Sequence, residues 1–363
     1  MTSVDMNEAE LSTDITGTLA HVTLRRTRAL NALTIAMRRE LADAFPRFAR
    51  HPDIYAVVMT SASERAFSAG SDVREIVALA RADKSAARQA FREEYRLNWQ
   101  IECFSKPCVS LIDGLVMGGG VGISLYGTHR VAAERYSFAM PETLIGFFPD
   151  VGVCHALARM PDEIGTYLAL TGRSVGRADA MAFGLATHAI DAQHFPAIIR
   201  ALADTEPVDP LLDGLHEDPG PGALEPLRDT IAHCFSALSV AEILARLDAV
   251  SGRDADWASG VAADLRQRSP SALVMTLQHI RAAALMHLKD VLEADQRLAE
   301  LCLDQSDFYE GVRAQVIDKD RAPKWTPASI EAAQVLISAL LAAPPSEPSW
   351  QLPSRADMQA ARA

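Results

Sequence analysis

The sequence predicts an α/β fold: a core of strand–strand–helix units followed by a helical C-terminal region. Two observations carry this prediction. Short apolar runs rich in β-forming residues recur up to residue 139, several of them entering glycine-bearing turns. From residue 162 onward such runs become rare, and apolar residues fall mostly at helical spacing.

Taken in order, residues 18–24 (TLAHVTL) alternate and form the first expected strand. Residues 33–50 carry apolar side chains at helical spacing. Residues 54–60 (IYAVVMT) form a continuous apolar run, the pattern of a strand buried on both faces. The glycine-containing segment FSAGSDV (67–73) follows, and residues 73–104 read as largely helical. A further buried strand is expected at 107–112 (PCVSLI), running into Gly114 and the triplet Gly118-Gly119-Gly120. Residues 129–133 and 136–139 complete the strands. A stretch dense in Pro, Gly and acids (206–225, EPVDPLLDGLHEDPGPGALE) has the composition of a surface loop or linker. Residues 230–303 read as several amphipathic helices, and a Pro/Ser-rich tail follows residue 343. The expected division is therefore a core over 13–205, a loop or linker over 206–226, a helical region over 227–335 and a poorly ordered tail over 344–363.

Composition narrows the function. The 363 residues, 49% hydrophobic and 23% charged, suffice for a sizeable buried core. A formal charge of −12 argues against nucleic-acid binding through bulk charge, so an anionic ligand needs a local basic cluster. The five cysteines are scattered without a C-x-x-C pair, which points to reduced thiols rather than a disulfide framework or metal site. Residues 1–13 hold several acids and no apolar stretch, unlike a signal or Arg-rich transit peptide, and no apolar run is long enough to span a bilayer. The cytoplasm is the expected location.

Three segments carry candidate chemistry. FSAGSDV (67–73) and GLVMGGGVG (114–122) each fit either a tight strand-to-helix turn or a backbone that presents free N–H groups to a developing negative charge. FAMPETLIGFFPDVG (138–152) sets Glu142 and Asp150 among apolar residues. Lost hydration there raises a carboxyl pKa toward proton transfer, although both residues also fit ordinary helix caps.

The ordered set A-L-N-A-L (29–33), A-F-S-A-G-S-D (66–72), M-G-G-G-V-G (117–122) and F-A-M-P-E-T (138–143) resembles the crotonase, or enoyl-CoA hydratase/isomerase, superfamily. The resemblance implies a spiral of β–β–α turns. It implies an acyl-coenzyme A substrate, no cofactor or metal beyond the coenzyme A that the substrate carries, and a trimer or hexamer. It also implies an oxyanion hole made by the backbone amides of Ser71 and Gly119.

Hydratases of this family use two glutamates. The first falls at Gly122 here, which cannot move a proton, and the second at Glu142. Hydration is therefore disfavoured. FREEYRLN (91–98), AMPETLIGFFPDVG (139–152) and DFYEGVRAQVIDKDRAPKWTP (307–327) resemble the 3-hydroxyisobutyryl-CoA hydrolases, nearly end to end. That resemblance makes Glu94, Gly119, Glu142 and Asp150 the substrate-site set, with Glu142 and Asp150 catalytic, and implies valine breakdown. For Glu94, a solvated face of a charged helix is the competing reading. The charges of the 307–327 string are expected to cap helices and pair near the site mouth. Arg25, Arg26, Arg28 and Ala29 sit where the family binds coenzyme A, or simply at an exposed strand end.

Two departures stand out: the turn at 25–27 lacks the family's Asn and Pro, and Val153-Cys154-His155 replaces a glycine- and aromatic-containing stretch beside the acyl pocket. Cys154 and His155, adjacent on a helix, should face different ways rather than form a Cys–His pair. Rival readings are an enoyl-CoA isomerase using Glu142 alone and a catalytically silent acyl-CoA-binding homologue.

Overall fold

The computed structural model describes residues 9–343 and 350–360. Strands β1 (Leu11–Thr16) and β2 (Leu19–Leu24) form an antiparallel pair; α1 (Ile35–Arg50) follows. Three strand pairs come next: β3 (Ala56–Ser61) with β4 (Ala66–Ser68), β5 (Cys108–Ile112) with β6 (Leu115–Met117), and β7 (His129–Ala132) with β8 (Ser137–Ala139). Between the pairs lie α2 (Val73–Ala82), α3 (Lys84–Glu102) and the short α4 (Gly119–Ser124).

Each pair contributes one strand to each of two sheets. With the short β9 (His188–Ala189), the larger sheet has the order β1-β2-β3-β5-β7-β9 and is parallel beyond β2. The smaller sheet is β4-β6-β8, also parallel. This repetition is the expected β–β–α spiral. Parallel strands are covered on both faces, so β5 is buried throughout and β3 from Ala56 to Met59, which explains their unbroken apolar runs.

Local chemistry sets the helix starts. The Thr34 hydroxyl accepts from the Met37 amide at 3.2 Å, and the Asp83 carboxylate accepts from the Ala86 amide at 3.1 Å. Asp72 caps α2 through the Arg74 amide at 3.2 Å.

Helices α5 (Val153–Leu157), α6 (Ile164–Thr171), α7 (Arg177–Ala182), α8 (Phe195–Ala203) and α9 (Val208–Leu215) finish the first half. The second half is helical as expected: α10 (Arg228–Phe235), α11 (Val240–Ala249), α12 (Ala255–Gln267), α13 (Pro270–Ala283), α14 (Leu288–Asp304), α15 (Ser306–Val312) and α16 (Ile330–Ala342). One apolar core joins the two halves, running from Leu11 to Met358.

Three expectations need correction. Strand β1 precedes the expected first strand; its outer residues are exposed, so it shows little apolar periodicity. The Pro/Gly stretch at 206–226 holds α9, whose Val208 and Leu212 are buried with Leu19, Val58 and Val131. Its distal end is tied down where the Ala223 and Leu224 amides donate to the Asp179 carboxylate at 3.2 and 3.0 Å. Of the tail, residues 344–349 and 361–363 lie outside the described residues, but Trp350 to Ala360 are anchored by the buried Leu352 and Met358 and end in α17 (Arg355–Ala360). Leu352 is buried there, and Trp99 Nε1 donates to the Pro353 carbonyl at 2.9 Å. A buried indole N–H needs an acceptor, and the tail supplies one.

Candidate active site

The C-terminal ends of the three strands of the small sheet supply the site, as is usual for parallel sheets. Parallel pairing of β4, β6 and β8 brings the turns after them side by side. Ser71, Glu94, Gly119, Glu142 and Asp150 all line one cavity of about 250 Å³, walled largely by apolar residues such as Ile76, Phe91, Phe147 and Phe308. Residues far apart in the sequence thus meet in a single pocket.

Two glycine turns form one side. Gly70 (φ +93°) and Gly118 (φ +49°) adopt backbone angles that favour glycine. A Cβ on Gly70 would lie 3.3 Å from the Gly119 nitrogen; one on Gly119 would lie 3.1 Å from the Ser71 nitrogen and 2.6 Å from Glu94 Oε1. The two amides are therefore neighbours. Among the described residues, neither donates to a protein acceptor.

Glu142 opens a 3₁₀ turn (Glu142–Ile145) after β8 and is 7% exposed. Its Oε2 is buried without a hydrogen-bond partner, while Oε1 lies 3.2 Å from where a Gly118 Cβ would sit. Burial pushes the carboxyl up to about 8, opposed only in part by a hydrogen bond from its own main-chain amide.

Asp150 is buried opposite, its Oδ2 accepting from the Tyr95 hydroxyl at 2.9 Å. Burial raises its carboxyl well above the usual range, and the nearby charges of Glu94, Glu142 and Asp295 add to the effect. The phenol of Tyr95 is likewise pushed well up, first by burial and then by Asp150, so it remains a proton donor.

Glu94 is 2% exposed, which corrects the solvated-face reading. It forms an ion pair with the equally buried Arg38 of α1 and accepts from the Ser71 hydroxyl. Its neighbour Glu93 points outward to Arg39 at 2.8 Å. Consecutive helical residues point about 100° apart, so one glutamate faces the site and the next faces solvent.

Gly122, the position of a hydratase's first glutamate, is enclosed. A Cβ there would lie 2.7 Å from Asn98 Nδ2 and 2.8 Å from Val151 Cβ. Cys154 is buried with its thiol on the Pro149 carbonyl at 3.3 Å, whereas His155 is part-exposed. They form no Cys–His pair.

The structure does not bring Arg26, Arg28 or Ala29 into the cavity wall. Arg26 is engaged by Glu10 at 3.0 Å and Asp72 at 2.8 Å, bracing the turn against α2. Arg28 is exposed and Ala29 half-buried. In the 307–327 string, Arg313 pairs with Glu310, Asp318 and Asp320, while Phe308, Gln315 and Val316 reach the cavity from α15 and the π turn Arg313–Ile317. Tyr95 and Arg38 were not singled out from sequence. The signal was faint: an aromatic and a cation on the inner faces of amphipathic helices.

A family model described as enoyl-CoA hydratase/isomerase matches residues 19–341. The chain belongs to that family. Among curated proteins, it is 38% identical over 320 residues to the 3-hydroxyisobutyryl-CoA hydrolase, mitochondrial, of Gallus gallus (85% of this chain, 82% of the relative). It is 37% identical over 323 residues to the Homo sapiens protein of that name, with the same coverage. Among solved structures, it is similar to a carnitinyl-CoA dehydratase from Mycobacterium thermoresistibile (TM-score 0.87, 36% identity, 93% and 97% of the two chains). It is also similar to an enoyl-CoA hydratase from Rhodobacter sphaeroides (TM-score 0.85, 35% identity, 92% and 97%).

Among the described residues, no group of three or more His, Cys, Asp or Glu could hold a metal ion, and no helix is long and apolar enough to cross a membrane.

Proposed function

We propose that this enzyme hydrolyses a short-chain 3-hydroxyacyl-CoA thioester, with 3-hydroxyisobutyryl-CoA as the preferred candidate. The products are the free acid and coenzyme A. The observation that carries the reading is the buried carboxyl of Glu142, its Oε2 without a partner, sharing one cavity with two free backbone amides while the position of a hydratase's first glutamate is a walled-in glycine. The names of the curated relatives support the hydrolase reading.

In this reading the thioester oxygen accepts hydrogen bonds from the amides of Ser71 and Gly119. Preorganised donors of this kind are worth about 3–4 kcal/mol of barrier each. Ionised Glu142 attacks the carbonyl carbon to give a mixed anhydride, or takes a proton from an attacking water. The C–S bond breaks and coenzyme A leaves as its thiolate; a thiol pKa of about 8.5 means little acid assistance is needed. Where an anhydride forms, one water then hydrolyses it to the free acid and restores Glu142. Asp150, its Oδ2 held by Tyr95, takes the substrate 3-hydroxyl on its other oxygen. Glu94, held by Arg38, fixes the Ser71 turn. No cofactor beyond the substrate's own coenzyme A takes part. Any contact of Arg26, Arg28 and Ala29 with coenzyme A falls outside the cavity wall.

The two solved neighbours bear dehydratase and hydratase names, so the chemistry needs a direct test. Incubation with 3-hydroxyisobutyryl-CoA and a thiol reagent should show coenzyme A release, abolished in Glu142→Ala. Unchanged release in that variant removes Glu142 from the mechanism. Movement of a 3-enoyl-CoA double bond without thiol release selects the isomerase, and tight acyl-CoA binding without turnover selects the silent homologue. The trimer or hexamer is checked by light scattering. The cytoplasmic expectation finds no support in the relatives, whose names say mitochondrial.

A further inference from the structure

Behind Asp150 the chain makes an unusual turn. Val151 (φ +53°) and Gly152 (φ +75°) are consecutive left-handed residues, and the left-handed region is unfavourable for a β-branched side chain. The turn has little room to relax: a Cβ on Gly152 would lie 2.6 Å from the Tyr126 hydroxyl oxygen and 2.7 Å from Leu288 Cδ1. Two groups hold it. The Tyr126 hydroxyl donates to the Val151 carbonyl at 2.9 Å, and the Gly152 amide donates to Asp295 Oδ2 at 2.6 Å.

Asp295 lies on α14 and is fully buried. Its Oδ1 sits 2.6 Å from Nε2 of His279 on α13, and the His279 ring packs edge-on against Phe148 of the same loop. A buried carboxylate is a costly acceptor for one amide, since a neutral oxygen could serve. What the pair adds is a fixed direction: the acceptor is locked by its own partner, as outer groups lock functional ones elsewhere.

We propose that Asp295, clamped by His279, is a positioning residue that holds Asp150 in place to recognise the 3-hydroxyl of the substrate. The helical C-terminal region thereby sets acyl selectivity from behind the site. This rests on the reading of Asp150 given above.

The test compares 3-hydroxyisobutyryl-CoA with isobutyryl-CoA in the full-length enzyme and in the variants D295A and D295N. Wild type should favour the hydroxylated thioester in kcat/KM. D295A should shrink that preference at least about tenfold, and D295N, which keeps an acceptor for Gly152, should restore it to within about threefold. A purely structural role would lower both thioesters together, because it removes active molecules without changing their selectivity. A parallel fall, or an unchanged ratio in D295A, overturns the proposal. If D295A does not fold, H279A takes its place: a ratio reduced about threefold or more supports the proposal, and an unchanged ratio overturns it.

A wild type with no preference for the hydroxyl, or no thiol release at all, instead overturns the reading of the site. Hydrogen exchange over residues 148–157 then decides the clamp, with faster exchange in D295A than in D295N supporting it and equal exchange refuting it.

Discussion

With its carboxyl at about 8, Glu142 holds a proton on most molecules of the free enzyme at pH 7. An attacking or proton-accepting Glu142 must be ionised, so kcat/KM should rise about tenfold per pH unit below 8 and level off above it. A pH–rate profile already flat from pH 6 would contradict this. The same shift is linked to stability. The folded state binds the proton more tightly than the unfolded chain, so this group's contribution is fully present below about 4.5 and is lost as pH rises through about 8. Glu142→Gln should therefore gain on wild type across that window, by on the order of 5 kcal/mol at pH 9, and show little gain at pH 4. Denaturant titrations at the two pH values measure it. Tyr95 and Arg38 show how site residues escape sequence reading, since nothing local separates a buried helical Tyr or Arg from a half-exposed one.

At the scale of elements, α3 matters most because its inner face serves the site and its outer face serves the surface. Arg38→Met on α1 would leave the Glu94 charge buried without its cation, costing about 3–5 kcal/mol of stability in chemical denaturation. The glycine turns are equally demanding. Gly119→Ala drives a methyl against Ser71 and Glu94 and should reduce kcat at least about 100-fold with a smaller change in KM. Gly122→Glu should not create a hydratase: its side chain meets Asn98 and Val151, so calorimetry should show a lower Tm and hydration assays no gain. The glycine turns and Glu142 were legible because each motif is a contiguous string attached to a recognisable strand. Asp295 and His279 were not, because what joins them to Asp150 is the packing of α13 and α14 behind the loop.

Across the whole molecule, three carboxyls, Glu94, Glu142 and Asp150, line the cavity, and among the described residues no cationic side chain does. Acyl groups with a free carboxylate should be turned over at least about 100-fold less efficiently in kcat/KM than neutral 3-hydroxyacyl groups of the same size, because a buried carboxylate would meet no cation there and would oppose the ionisation that Glu142 needs to react.

The amino-acid sequence by itself determined the strand–strand–helix order, the glycine turns, the absent carboxylate at position 122 and the pair Glu142 and Asp150. These depend on local periodicity and on which residue types are present. Only the tertiary structure decided that Glu94 faces inward while Glu93 does not, that the Pro/Gly stretch holds a packed helix, and that the tail docks on Trp99. The physical reason is common to all three. Burial and pairing belong to surfaces assembled from distant segments, and a polar side chain is told its environment only by what the fold lays against it.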